Sequence, residues 1–401
     1  MQPVLDHAEV SEMVSCRALK TDVVIIGGGL AGSLTAALLA RQGVQVVLVD
    51  PNEVYPPGLR CEKICGRQVA LLRRIPIVND VLSAATPFRE FWVARFGRIV
   101  EKRLEEQYGI AYDTLVNCVR KSIPHAVVRV PGKATALCCS EQEQSVIVDT
   151  GEQIRARLVI LATGLNDGLR RSLGITREVF SKSHSVTLGF DLKPTAGRSF
   201  AFPSLTYYGE RPTDRVAYIT LFPIGNVMRA NLMVYRSLDD PYVREMRVNP
   251  DVGLGKLLPG LRSIVGPACV EGPVQVRPMD LYRSHGRLQP GLVLVGDAFS
   301  SACPAAGTGT DKVYTDVIQL CNVHVQQWLQ TQGMGVEKIG AFYADPMKVA
   351  CDRYSVNAAF RLRAASIDKG VSWWARRWVR FACHLAFGPV RQMLARLALR
   401  A

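Results

Sequence analysis

The stretch Asp22–Asp50, DVVIIGGGLAGSLTAALLARQGVQVVLVD, constrains this chain more than any other. An apolar run opens it, Gly27, Gly29 and Gly32 follow as G-x-G-x-x-G, and an apolar helical segment leads to a second apolar run that ends on Asp50. Strand, glycine turn, helix and strand in that order make one βαβ unit, the context that separates a dinucleotide fingerprint from a chance triple of glycines. The glycines permit a tight turn, close approach to a pyrophosphate and packing of helix on strand. Free backbone N–H groups at the helix start, around Leu30 and Ala31, suit phosphate oxygens, aided by the helix dipole. Asp50 lies about 20 residues on, where a carboxylate accepts both ribose hydroxyls. The fingerprint alone leaves NAD and FAD both open.

Further along, Pro51, Pro56, Pro57 and Gly58 break regular structure, and GRQVALLRRI resumes helical spacing. Residues from about Val93 to Ser122 carry mixed charge and a helical period. The run ARLVILATG suits a strand of a covered parallel sheet. From about Lys182 to Gln289 the pattern turns to longer alternating strands, such as VAYITLFPIG and VMRANLMVYR, which predict a separate, mainly antiparallel sheet. GLVLVGDAF then returns to strand, loop and helix, as if to the first domain, and the chain is helical beyond Asp345-Pro346.

With 401 residues, 48% hydrophobic and 21% charged, the chain has enough apolar material for two domains, and disorder is not expected. The net charge of +14 favours anionic partners without choosing among them. No known nucleic-acid module accompanies the charge, so nucleic acid is not expected. The first residues show no secretory pattern, and no run approaches the roughly 18 apolar residues of a membrane span. Eleven cysteines, odd in number and scattered, read as reduced thiols rather than a disulfide framework, and a cytoplasmic protein is expected. No metal site is read from the residues.

A second motif, GDAFSSACPAAGTGTD, follows the run LVLV. Asp297, Pro304 and then Gly307-Thr308-Gly309 stand at the spacing of G-D-A-A-H-x-x-x-P-x-x-G-x-G-x-N. The stretch resembles that of the para-hydroxybenzoate hydroxylase-like (group A) FAD-dependent monooxygenases, a superfamily that includes flavin-dependent halogenases and geranylgeranyl reductases. Phe299, Ser300 and Asp311 depart from the family's residues. The resemblance implies FAD, with Asp297 on a ribityl hydroxyl and the Pro304 to Gly309 backbone against the flavin. It also implies a D-G pair near mid-chain, which Asp167-Gly168 matches imperfectly, with Arg170 and Arg171 following. The implied fold is α/β (α+β overall), a Rossmann-like FAD-binding domain with a parallel sheet, an inserted antiparallel substrate sheet and a helical basic C-terminus. The expected division is a tail over 1–20, FAD-binding segments over 21–181 and 290–345, the substrate sheet over 182–289 and the basic region over 346–401.

The loop RCEKICG, Arg60 to Gly66, holds two cysteines that invite comparison with flavin disulfide reductases. Those enzymes space the pair C-x-x-x-x-C and carry a second nicotinamide fingerprint. Cys61 and Cys65 are C-x-x-x-C, and no second G-x-G-x-x-G follows a strand. The resemblance instead implies a role for Arg60 on the FAD pyrophosphate or ribityl chain, with Arg67, Arg73 and Arg74 as competitors.

SWWARRWVRFACHLAF gathers Trp374, Trp378, Phe381 and Leu385 on one side of a helix, and Arg376, Arg377, Arg380 and His384 on another. Packing on the body and lying on an anionic membrane surface both fit. The implied activity is an NADH- or NADPH-dependent monooxygenase that hydroxylates or epoxidises an apolar or aromatic small molecule through a flavin hydroperoxide. A flavin-dependent reductase of an isoprenoid or lipid double bond, and a lipid-binding protein without redox chemistry, are the alternatives. No W-x-W-x-I-P stretch marks a tryptophan-type halogenase. No catalytic acid or base is assigned. His184, Tyr207, Tyr218 and Arg229 are candidate cavity residues.

Overall fold

Both apolar runs of the βαβ unit become strands buried on two faces. A computed structural model describes residues 19–373 apart from 196 and 197, together with 375, 378, 379 and 381–383. In the strand Leu19–Ile26, Val23 and Ile25 enter a core shared with the helices Leu30–Arg41, Tyr112–Lys121 and Gly309–Gln319. Val24 and Ile26 enter a second core on the opposite face. A strand covered on both sides has no polar face to alternate with, which is why these runs read as continuously apolar.

The parallel part of this sheet runs in the order Val128–Pro131, Val46–Asp50, Leu19–Ile26, Gln153–Leu161, with Leu292–Leu294 beside the last half of Gln153–Leu161. The late return of Leu292–Leu294 places the loop after it beside the glycine turn after Ile26. Ligands of such sheets sit outside the carboxyl ends of the strands, where both loops lie.

The second sheet has eight strands and is mostly antiparallel. Its strands alternate: Ile219 and Leu221 pack into a core with the helices Pro241–Val248 and Pro250–Leu257, while Tyr218, Thr220 and Phe222 face the first domain. One end of it is made by Thr86–Arg95, Arg98–Gly109 and, at the edge, Lys63–Ile64, and the other edge is Ala268–His285. The helical reading of Val93 to Ser122 is therefore corrected: only Tyr112–Lys121 is helical, and the rest is a hairpin. Arg95 pairs with Arg98 across a two-residue turn, Phe96 and Gly97, both at positive φ. That is the backbone of a primed hairpin turn, and Phe is an uncommon occupant of its first position, so composition did not announce it.

The helix Pro346–Ile367 is capped by Asp345, whose carboxylate accepts from the backbone N–H groups of Met347 and Lys348. In the basic stretch that follows, Trp378 stacks on Phe96 with centroids 5.5 Å apart and Phe381 meets the same ring edge-on. This part of its apolar side packs on the body. Trp374, Leu385, Arg376, Arg377, Arg380 and His384 lie outside the described residues. No helix among the described residues is long and apolar enough to cross a membrane.

Candidate functional site

The two glycine motifs open on one cavity of about 750 Å3, within the range usual for cofactor sites. Gly27, Gly29, Leu30, Ala31, Asp50, Arg60, Asp297, Pro304, Gly307 and Gly309 all line it. Gly32 does not, because it serves the packing: a Cβ there would drive into the carbonyl oxygen of Gly27. Thr308 is also set back, buried, with its hydroxyl on Ser355 at 2.6 Å.

Two helix starts face this space. Gly29 precedes the helix Leu30–Arg41 and Thr308 precedes Gly309–Gln319, and neither offers a side-chain cap. The first N–H groups of each helix therefore lack a side-chain acceptor. Gly307, at φ +65°, and Gly29 leave room where a Cβ would stand. Such a cradle, with two sets of backbone donors, fits the pyrophosphate and the electron-accepting ring of FAD.

Asp50 is more committed than its place at the end of the strand Val46–Asp50 implies. Its Oδ2 accepts the Gly28 N–H at 2.6 Å, and its Oδ1 accepts from Arg120 at 2.8 Å and from the Asn52 N–H at 3.0 Å. A carboxylate has about four lone-pair sites, so roughly one remains and not the two that a pair of ribose hydroxyls needs. Arg120 also donates to the carbonyls of Gly28, Asn52 and Glu53. It braces the whole glycine turn from the helix Tyr112–Lys121. Nothing in its local sequence marks it, since the contact spans 92 residues to Gly28.

Arg60 and Asp297, read from motifs far apart in the chain, meet at 3.3 Å. Tyr282 holds the Asp297 loop by donating to the Asp297 carbonyl at 2.7 Å. Arg170, fully buried, donates to the Ala298 carbonyl at 2.8 Å and to Ser284 at 3.2 Å. Of the D-G pair, Gly168 lines the cavity, whereas Asp167 pairs with Arg171 at 2.8 Å. Among the competitors of Arg60, Arg67 lines the cavity and pairs with Asp311, and Arg73 pairs with Glu106 at the surface. Arg277, which motif reading missed, reaches over the cavity and donates to the Leu59 carbonyl at 2.9 Å. The loop crosses the sheet there, at Gly189, where any side chain would strike Leu59.

The cysteines of the loop do not make a reactive pair. Burial pushes the Cys61 thiol up to about 11, the opposite of an activated thiolate, and its Sγ lies 3.3 Å from the Lys63 carbonyl. Cys61 and Cys65 are both free thiols.

Of the four residues expected from the sheet, only Tyr218 lines the cavity, where its hydroxyl donates to the Ala305 carbonyl at 2.5 Å. The other three are corrected. Tyr207 points to the helix-covered face and donates to Glu210 at 2.5 Å. His184 is buried between Tyr235 and Phe360. Arg229 is set back and holds Glu62 at 2.8 Å and Asp191 at 2.7 Å. Strand parity decides which side a residue faces, and a one-residue error reverses it. Burial pushes the Glu62 carboxyl up, against the pull of Arg229.

The 3-demethoxyubiquinol 3-hydroxylase of Escherichia coli is 27% identical over 76% of this chain and 80% of its own. Squalene epoxidase erg1 of Aspergillus fumigatus is 25% identical over 80% of this chain and 69% of its own. The crystal structure of p-nitrophenol 4-monooxygenase PnpA from Pseudomonas putida shares the fold, with TM-score 0.74 and 16% identity over 95% of this chain and 98% of that one. The FAD binding domain family matches residues 20–324. The chain belongs to that family, within the para-hydroxybenzoate hydroxylase-like flavin monooxygenases, and is an FAD-dependent oxidoreductase.

Proposed function

We propose that the protein is an NADH- or NADPH-dependent monooxygenase that hydroxylates or epoxidises an apolar or aromatic small molecule. The observation that carries this reading is the continuity of the cavity. It runs from the dinucleotide cradle to the inner face of the antiparallel sheet, where Thr187, Tyr218, Thr220, Phe222, Met233 and Met279 line it. A mostly apolar wall with a few polar groups suits a ring or isoprenoid chain that carries a polar substituent. Of the two relatives, one is named for hydroxylating a ubiquinol, a ring with polar substituents and an isoprenoid chain, and the other for epoxidising squalene, an isoprenoid hydrocarbon.

Bound FAD supplies the redox and oxygen chemistry, and the chain supplies position and field. Gly27, Gly29, Leu30 and Ala31 hold the pyrophosphate, Asp50 accepts a ribose hydroxyl, and Asp297, oriented by Arg60 and Tyr282, accepts from the ribityl chain. The helix start at Gly309, with Thr308 fastened behind it, offers its backbone N–H groups to the end of the ring that gains negative charge on reduction, and Pro304 and Gly307 shape the loop that leads into it. The sheet face keeps water from the substrate side.

The test is to load the protein with FAD and follow NADH and NADPH oxidation together with oxygen uptake across candidate substrates. Substrate-stimulated oxygen uptake is expected. Donor oxidation without oxygen uptake, with a saturated product, would replace this reading with the double-bond reductase. Attachment to an anionic membrane through the basic stretch is a separate proposal, supported by the exposed Val371 and Val379 beside Trp378. Equal liposome sedimentation of the full chain and a chain ending at Asp368 would sink it.

A further inference from the structure

The loop RCEKICG carries one charge that no neighbour balances. Lys63 and Ile64 form a short edge strand paired with Tyr108 and Gly109, and successive residues of a strand face opposite ways. Ile64 is fully buried in the core shared with the helices, so Lys63 turns to the cavity, which it lines. Burial lowers its ammonium, against weaker pulls from Cys65, Glu105 and Cys61. Glu105 lies beyond ion-pair range and accepts from Gln107 at 2.6 Å. The ammonium donates to no group among the described residues, and Lys63 is only half-buried within surrounding protein, so the surface it keeps opens on the cavity. The neighbouring cations are engaged: Arg60 faces Asp297, Arg67 pairs with Asp311, and Arg277 donates to the Leu59 carbonyl.

Contacts on both sides of Lys63 fix its place along the cavity. Cys61 Sγ lies 3.9 Å from the Thr310 hydroxyl, and Gln68 donates through Nε2 to the Gly307 carbonyl at 2.8 Å. With Arg67 on Asp311, the segment from Cys61 to Gln68 is laced to the loop and helix start that face the flavin ring. Lys63 stands between these anchors. An unpaired ammonium in a half-buried site is costly unless a negative charge reaches it. At this end of the cavity, negative charge arrives when the ring is reduced. We propose that Lys63 supplies a fixed positive charge that, together with the helix start at Gly309, stabilises the reduced, anionic flavin and raises its potential. This rests on the placement of the ring against the Gly307 loop, and it holds equally for a monooxygenase and for a double-bond reductase. Glu62, next in the chain, does not cancel the charge, because it is held by Arg229 on the sheet at 2.8 Å.

The experiment measures the two-electron potential of the FAD-loaded protein by equilibration with a reference dye, without substrate and without oxygen. Lys63→Met is expected to shift the ratio of reduced to oxidised flavin about ten-fold or more toward oxidised, which is a potential lower by about 30 mV. Lys63→Gln should behave the same way, and two neutral variants keep the test decisive if one of them loses FAD. Lys63→Arg keeps the charge and should recover most of the shift, which a merely structural role for the lysine would not predict. Lys133→Met removes another cation of the cavity, next to Gly132, whose N–H donates to the Asp50 carbonyl at the ribose end, and should leave the potential unchanged. An unchanged potential in the FAD-replete neutral variants, or an equal drop in Lys63→Arg or in Lys133→Met, would overturn the proposal. Oxygen uptake, measured separately, decides the monooxygenase reading, so a protein whose potential depends on Lys63 without consuming oxygen keeps the charge and loses the reaction.

Discussion

Behind the Asp297 loop lies a buried charge cluster that makes a quantitative prediction. The Lys348 side chain is fully buried, with its Nζ 2.6 Å from Asp316 and 3.3 Å from Asp352. Lys312 pairs with Asp352 at 2.9 Å and donates to Ser300 at 2.9 Å. The second oxygen of Asp316 accepts the Gly296 N–H at 3.0 Å, one residue before Asp297. Two lysines and two aspartates balance. Lys348→Met leaves both carboxylates with Lys312 alone, and breaking one partner out of a buried pair costs about 3–5 kcal/mol. Burial already pushes the Asp316 carboxyl up, with Lys348 the largest pull in the other direction. Without Lys348 it titrates higher still. An acid whose folded value is raised weakens the fold above its unfolded value and releases that penalty as pH falls. The deficit of Lys348→Met is therefore expected to shrink from pH 8 toward about pH 5. Adding Asp316→Asn removes the orphaned charge, keeps an acceptor for Gly296, and should restore all but about 1–2 kcal/mol. The assay is urea unfolding of the FAD-loaded protein, read by tryptophan fluorescence and by FAD release. A single-variant loss below about 1 kcal/mol, or a double variant no better than the single, would refute the reasoning.

Other expectations follow from the same geometry. Arg60→Ala removes the guanidinium facing Asp297 and should weaken FAD binding roughly ten- to hundred-fold, while Arg73→Ala, at the surface with Glu106, leaves it unchanged; equilibrium dialysis of the apoprotein separates them. Cys61→Ser and Cys65→Ser together should leave turnover largely intact, and a loss beyond about ten-fold would restore a role for the thiols. Burial lowers His184 from 6.5 to about 4, with Arg363 adding to the effect. The unfolded chain takes up this proton first, so stability should fall as pH drops from about 6.5 toward 4, by up to ~3 kcal/mol, and His184→Phe should flatten that limb of the urea-midpoint profile.

Much of the architecture could be read along the chain because it rests on local order. Gly27, Gly29 and Gly32 sit between a strand and a helix, and Asp50 ends the next strand, all within one βαβ unit whose periodicity is self-contained. The GDAF stretch, with Asp297, Pro304 and Gly307, is likewise local, and so is the break at Asp345-Pro346 that starts the long helix. These features sufficed for the fold class and for FAD. The hairpin over 86–109 was missed, because alternating charges on a half-exposed strand also fit a helical period and only pairing with Leu205–Tyr208 and Lys63–Ile64 resolves the ambiguity.

What the tertiary structure alone decided is which distant residues face one another. Arg120 reaches back 70 residues to Asp50, Arg60 meets Asp297 across 237 residues, and Glu62 meets Arg229 across 167. No periodicity encodes such pairings. They follow from the order in which strands join a sheet and from the parity that sends Asn231 inward and Leu232 outward. The sequence determined by itself that a dinucleotide cradle exists, because a cradle is built from consecutive backbone. The chamber beside it exists only where two sheets close over the same space.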